Sequence, residues 1–293
     1  MGVFIVKLLS RIPLAVSYRV LAPLLSFLLF RVFKYRVKIA RQNLARVYPA
    51  KTEAERELIL KDYYQFLGDM FVEVLRSPHL SDEDFLSRVK WENPELINDL
   101  WADGQSIVLM ALHQCNWEWL LHSATLTLDP PLEVIYKPLH NKAFDGYFRE
   151  TRARFGSILV PHKQAVQLFN HRKDPFFLVL LSDQAPLKKR KKVWSMMLGQ
   201  DTAFPLGAEL FAKNNNAVVV YGWPRRVARG YYEIRLEILA EPPYQQEGNE
   251  ILDAYAKRGG EAIVAQPETW LWSNRRWSYT KAEDPTLSAS DDH

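Results

Sequence analysis

Six consecutive apolar residues, Ile107-Val108-Leu109-Met110-Ala111-Leu112, run directly into His113. An apolar run of this length, with no polar alternation, predicts a strand buried on both faces, and such strands belong to mostly parallel sheets covered by helices. The stretch Asn116-Trp117-Glu118-Trp119-Leu120-Leu121-His122 predicts the helix that follows. A base and a carboxylate, His113 and Glu118, therefore fall at the carboxyl end of a core strand, where open α/β sheets bind ligands. Imidazole titrates near neutrality and can take a proton from a hydroxyl, and a carboxylate within reach fixes its tautomer. The four residues between them can fold Glu118 back toward His113. The pair also reads as a capping histidine and a solvated first-turn acid favoured by the helix dipole.

From residue 105 onward the pattern alternates. Strands are predicted at 107–112, 133–136, 157–160, 176–181, 217–221 and 231–239, and helices near 116–127, 141–154, 163–171, 204–214 and 249–265. This is the pattern of an α/β fold with a mostly parallel central sheet flanked by helices. Tyr231 to Leu239 alternates as an edge strand would. Upstream, a basic helix ends near Pro49, and Thr52 with Glu55 marks the start of a second helix that runs to Pro78. Residues 35–280 are expected to form one α/β domain, and residues 281–293 a disordered tail.

Residues 1–34 are a separate problem. They are strongly apolar but interrupted by Lys7, Arg11, Arg19 and Arg31 and by Pro13 and Pro23, and the longest uncharged stretch is Val20 to Phe30. A conventional membrane span wants about 20 apolar residues, so a helical segment lying in the membrane interface is expected, with cations at the headgroups and apolar faces in the acyl region. A buried helix hairpin is the alternative. Aromatic residues make up 13% of the chain, including nine Trp, which suits either an interface or a well-filled core. Basic residues cluster at Arg31 to Arg46 and at Lys188-Lys189-Arg190-Lys191-Lys192, favouring anionic partners such as phosphorylated lipid, an anionic leaflet or an acidic carrier protein. The latter run also reads as a solvated loop. The single cysteine, Cys115, excludes an intrachain disulfide.

Taken in order, these residues resemble a known family, the late acyltransferases of lipid A biosynthesis within the lysophospholipid acyltransferase-like superfamily. The resemblance runs through the Arg-x-Lys-x-Ala-x-x-Asn-Leu run that leads to Tyr48-Pro49, then His113-x4-Glu118, Tyr136-Lys137-Pro138, Arg152-Ala153-Arg154 and Ser182-Asp183-Gln184. It continues through Arg225-Arg226 before Gly230-Tyr231-Tyr232 and through Pro267-Glu268-Thr269-Trp270-Leu271-Trp272. Two departures bear on acceptor and acyl length: Lys137 stands where Arg is more usual, and Ser273-Asn274-Arg275-Arg276-Trp277 differs from the common ending.

The resemblance implies a membrane-associated O-acyltransferase at the cytoplasmic face of the cell inner membrane. It would move a fatty acyl chain from an acyl carrier protein thioester to the hydroxyl of a 3-hydroxyacyl chain on a lipid A precursor or related lipid. His113 is implied as general base and Glu118 as its orienting carboxylate. Arg152, Arg154, Asp183, Gln184, Asn116 and Tyr136 are implied as substrate-binding or supporting residues, with Asp183 alternatively capping the strand before it. Lys188, Lys189, Arg190, Lys191 and Lys192 would contact phosphate or the carrier protein. Backbone N–H groups after His113, or Arg152, are candidates to face the oxyanion. No cofactor, metal or nucleic acid is implied.

The rivals are an acyltransferase acting on a lysophospholipid or aminolipid, a Cys115 nucleophile, a metal site from His113, Glu118 and His122, and a peripheral lipid-binding protein without turnover.

Overall fold

The computed structural model describes residues 2–138, 140–170, 172–245 and 247–287. Seven strands form the main sheet: β1 (Val89–Trp91), β2 (Ile107–Ala111), β3 (Leu132–Tyr136), β4 (Ile158–Pro161), β5 (Phe177–Leu181), β8 (Val218–Ala228) and β9 (Tyr231–Ala240). In the chain, between β5 and β8, lies a two-stranded antiparallel ribbon, β6 (Lys192–Met197) and β7 (Gln200–Pro205). The sheet order is β1-β9-β8-β2-β5-β3-β4, and every neighbouring pair is parallel except β8 and β9. This is the α/β architecture with a mostly parallel sheet that the apolar runs predict.

The central position of β2 follows from its composition. Ile107, Val108, Leu109 and Met110 are all buried, and fully burying side chains of this kind contributes roughly 1.5–3 kcal/mol each. Its odd and even residues face two separate apolar clusters: Val108 and Met110 pack with the helices on one side of the sheet, Ile107 and Leu109 with those on the other. The β9 strand is not an edge, contrary to its alternating pattern. The three residues of β1 pair with it in parallel register, Val89 opposite Tyr232, and the alternation reflects one packed and one more open face.

The long helix Glu53–Arg76 starts at the predicted capping box, with Thr52 and Glu55 satisfying each other's backbone N–H groups. Against it lies a continuous apolar helix, Leu14–Val32, preceded by a short helix, Gly2–Leu9. By length and composition alone Leu14–Val32 could cross a bilayer, and only 11% of its apolar stretch is buried. It is therefore not the buried hairpin of the alternative reading. The two helices meet at Gly68, where an added Cβ would stand 2.5 Å from the Ala22 carbonyl oxygen.

The expected disordered tail needs correction over its first part. Lys281–Glu283 forms a helical turn, and Asp284 is buried, accepting from Lys192 Nζ at 2.7 Å and from Trp194 Nε1 at 2.7 Å. The remainder of the tail, 288–293, lies outside the described residues.

Candidate active site

The chain leaves β2 through Leu112 and presents His113 at the carboxyl end of the sheet. Two residues past β5 stands Asp183. Because β2 and β5 are parallel with Ala111 opposite Leu181, equal advances of two residues bring His113 and Asp183 side by side. The His113 Nδ1 lies 2.6 Å from Asp183 Oδ1, and the His113 backbone N–H donates to Asp183 Oδ2 at 3.1 Å. Trp270 Nε1 donates to the same Oδ2 at 2.8 Å. Since a carboxylate only accepts, this network assigns the proton to Nδ1 and leaves the Nε2 lone pair outward. There Gln184 Nε2 donates to it at 3.1 Å from an exposed side chain.

Burial alone would push the Asp183 carboxyl up. The facing His113 and the hydrogen bonds from His113 and Trp270 outweigh this and hold it below its ordinary value. Asp183 is thus a buried anion aimed at a partly exposed imidazole, whose side chain keeps 17% of its surface. Such a pair fixes the tautomer and stabilises the imidazolium that forms when Nε2 accepts a proton.

The turn after His113 is fixed from beneath. The Gln114 side chain donates to the Ala262 carbonyl at 2.9 Å and to Thr269 Oγ1 at 3.1 Å, and Cys115 N–H donates to the Thr269 carbonyl at 3.0 Å. Leu271 N–H in turn reaches the His113 carbonyl at 3.1 Å. Cys115 sits in the left-handed region, φ 56°, a conformation a non-glycine residue holds only when its surroundings demand it. Its thiol is fully buried, and burial pushes it up to about 12 although Thr269 pulls the other way. A protonated thiol facing the core is no nucleophile.

Glu118 does not fold back onto His113. Its carboxylate is gripped in a fork by Arg152, Nε to Oε2 at 2.8 Å and Nη2 to Oε1 at 2.5 Å. Burial raises its carboxyl, but Arg152 more than compensates and sets it below the usual range. The reason is directional. Glu118 lies in the first turn of Trp117–Thr127, and this carboxylate meets the last turn of Lys142–Ala153, which carries Arg152. Tyr136, buried at the carboxyl end of β3, lies within electrostatic reach of that guanidinium. Arg154 does not join them. It donates to the Ser77 carbonyl at 3.1 Å and lines a separate cavity of about 400 Å³ with Lys7, Arg11, His79, Tyr147 and Glu150.

Asn116 is buried and acts as a cap, its Oδ1 accepting from Trp119 N–H at 3.1 Å. Its amide donates to Glu73 Oε2 at 2.7 Å, and the same carboxylate accepts from Tyr232 at 2.6 Å and Tyr18 at 2.7 Å. Burial keeps the Glu73 carboxyl above its ordinary value, partly offset by those three donors. Sequence reading missed Glu73 because it sits within an apolar helical stripe, among Met70, Phe71, Val74 and Leu75. It missed the role of Trp270 too, though the Pro267-to-Trp272 run was visible.

In the basic run, Lys188, Lys189, Arg190 and Lys191 are exposed as expected of a loop. Lys192 is withdrawn: its side chain is fully covered and paired with Asp284. Among the described residues no group of three or more His, Cys, Asp or Glu side chains could hold one metal ion.

A model of the bacterial lipid A biosynthesis acyltransferases matches residues 1–279. The chain belongs to that family. It is 23% identical over 282 residues to a lipid A biosynthesis acyltransferase of Haemophilus influenzae, covering 93% of this chain and 85% of the relative. It is 23% identical over 280 residues to the lipid A biosynthesis lauroyltransferase of Escherichia coli K12, covering 94% and 90%. To the lipid A biosynthesis palmitoleoyltransferase of the same organism it is 23% identical over 277 residues, covering 90% and 88%. The protein is therefore an acyltransferase, and the reading of a lipid-binding protein without turnover falls away.

Proposed function

We propose that this acyltransferase moves a fatty acyl chain from an acyl carrier protein thioester to the hydroxyl of a 3-hydroxyacyl chain on a lipid A-type glycolipid, at the cytoplasmic face of the cell inner membrane. The family and the activities of its lauroyltransferase and palmitoleoyltransferase relatives support the acceptor class. The apolar helix Leu14–Val32 supports the membrane location. The observation that carries the chemistry is the 2.6 Å contact between His113 Nδ1 and a buried Asp183.

In this reading His113 Nε2 takes the acceptor hydroxyl proton as the oxygen attacks the thioester carbonyl carbon. A tetrahedral oxyanion forms, the carbon–sulfur bond breaks, and the imidazolium returns its proton to the departing thiolate. Asp183 holds the Nδ1–H tautomer and offsets the transient positive charge. Glu118 remains part of the machinery in a different capacity: it fixes Arg152, whose N–H groups not engaged by the carboxylate are candidates to face the oxyanion or an acceptor phosphate. Gln184 yields Nε2 to the incoming hydroxyl, and the exposed cations Lys188 to Lys191 meet the phosphates or the acidic carrier.

The test is acyl transfer from an acyl carrier protein thioester to a lipid A precursor, read by mass spectrometry as the gain of one acyl chain. His113→Ala and Asp183→Asn should each lower turnover by about 10²–10⁴-fold while the far-ultraviolet circular dichroism stays unchanged. Wild-type turnover retained in His113→Ala would remove the base assignment. Equal activity of Asp183→Asn and wild type, with Glu118→Gln inactive, would return the orienting role to Glu118.

A further inference from the structure

A second cavity, of about 530 Å³, lies at the far end of the apolar helix and contains neither His113 nor any residue assigned to the reaction. Its walls carry four cations, Arg31, Lys34, Arg41 and Lys61, and one acid, Glu57. The acid is already taken, since Arg41 grips Glu57 through Nε at 2.5 Å and Nη2 at 3.0 Å. Arg31, Lys34 and Lys61 have no ion pair among the described residues. Arg31 also lies within electrostatic reach of Glu57, yet the walls carry three more positive than negative charges, an anion site by charge alone.

The floor is built rather than incidental. Phe30 stacks on Tyr64 with centroids 5.0 Å apart and planes at 18°, and the Arg31 guanidinium lies 4.9 Å from the Phe30 ring centre. Tyr64 in turn donates to the Tyr35 carbonyl at 2.5 Å, tying down the turn between the two helices. In that turn Lys34 and Arg36 hold φ of 47° and 53°. Two long cationic residues in the left-handed region are strained, and the packing of this turn sustains that strain.

The occupant follows from what leads into the cavity. Val20, Leu24 and Phe27 are 56%, 50% and 56% exposed, and their spacing of four and three residues, continued by four, ends at Arg31. An exposed apolar ribbon thus runs down the helix into a cationic pocket. Beyond the pocket Val32 and Phe33 are also exposed, at 52% and 71%. We infer that this cavity binds the phosphate headgroup of one anionic phospholipid, whose acyl chains lie along the Val20–Phe27 ribbon. The inference rests on the interfacial placement of the apolar helix but not on the acyl-transfer chemistry, and its readout counts bound lipid instead of product.

The experiment is native mass spectrometry of the full chain in detergent micelles doped with either phosphatidylglycerol or phosphatidylcholine. Three proteins are compared: wild type, Arg31→Gln/Lys34→Gln/Lys61→Gln, and the charge-matched control Lys90→Gln/Lys173→Gln/Lys257→Gln. All three control positions are exposed. The expected result is a single phosphatidylglycerol adduct on wild type and control, with apparent affinity lowered at least about tenfold in the pocket variant, since each basic residue near an anionic surface contributes a several-fold effect. Glycerol 1-phosphate, a soluble form of the headgroup, should fail to displace the lipid because it lacks the chains. Equal adduct formation with phosphatidylcholine, or equal retention by pocket variant and wild type, would overturn the inference. So would displacement by glycerol 1-phosphate, which would make the cavity a site for soluble anions. Loss of acyl carrier protein binding in the pocket variant with lipid adducts intact would reassign it to the carrier.

Discussion

His122 stands one helical turn beyond Glu118, wedged between Phe85 and Phe155 with ring centroids 5.1 and 5.4 Å away. Burial holds its imidazole down at about 4, against the pull of Glu118, with Arg154 and Arg152 also disfavouring the charged form. An unfolded histidine titrates near 6.5. Between those two values the unfolded chain binds the proton that the folded one refuses, so stability present above about pH 6.5 is lost progressively as pH falls toward 4. The loss should approach about 2–3 kcal/mol, at 1.36 kcal/mol per pH unit. His122→Leu should remove most of that slope in chemical denaturation followed from pH 7 to 4.5. Asp183 and Glu118 do not confuse the measurement. Their carboxyls sit below the ordinary range, so the stability they contribute is held above about pH 4 and fades only as pH falls through their depressed values. An undiminished slope in His122→Leu would place the titrating group elsewhere.

At the scale of elements, the contact at Gly68 decides whether the apolar helix stays docked. A methyl there would press on the Ala22 carbonyl oxygen at 2.5 Å and on Ser26 at 3.2 Å, and backbone cannot yield as a flexible side chain can. Gly68→Ala should therefore cost about 1–3 kcal/mol and raise protease sensitivity between residues 10 and 35; unchanged cleavage would mean the helices tolerate separation. Elements also show where sequence reading stops. Strands β2, β3, β4, β5 and β8 are legible as apolar runs, and their predicted limits fall within a residue or two of those observed, except that β8 extends to Ala228. The β6–β7 ribbon is not, because its two-residue turn is Leu198-Gly199, with φ of 53° and 71°, where Asn-Gly or Asp-Gly would have announced it. β1 was hidden by its length of three residues. His113, the proposed base, was visible in sequence because it follows its own strand. Its carboxylate was not: register between β2 and β5 is a tertiary fact, and 70 residues separate His113 from Asp183. Local spacing favoured Glu118, which the fold gives to Arg152.

Across the whole molecule, the apolar helix and the turn after His113 are joined through one buried carboxylate. Tyr18 on that helix donates to Glu73 Oε1, while Glu73 Oε2 receives Asn116, three residues past His113, and Tyr232 of β9. A second tie lies beside it: Arg229 donates to the Tyr18 carbonyl at 2.8 Å and pairs with Asp69, which also holds Arg226. Gly230, at φ 75°, leaves room for the Tyr18 hydroxyl that a Cβ would meet at 2.2 Å. Seating of the helix and the shape of the turn are thus parts of one hydrogen-bonded body. Tyr18→Phe separates the two effects, because it keeps the apolar surface and the ring under Arg229 while removing one donor to Glu73. Losing a hydrogen bond to a buried acceptor should cost about 1–3 kcal/mol. Co-sedimentation with vesicles should match wild type, since the exposed apolar residues are untouched, while acyl transfer falls because Asn116 loses its fixed partner geometry. A variant that leaves the vesicles would show that Tyr18 serves membrane attachment; one with full turnover would show that the His113 turn holds its shape without help from the helix.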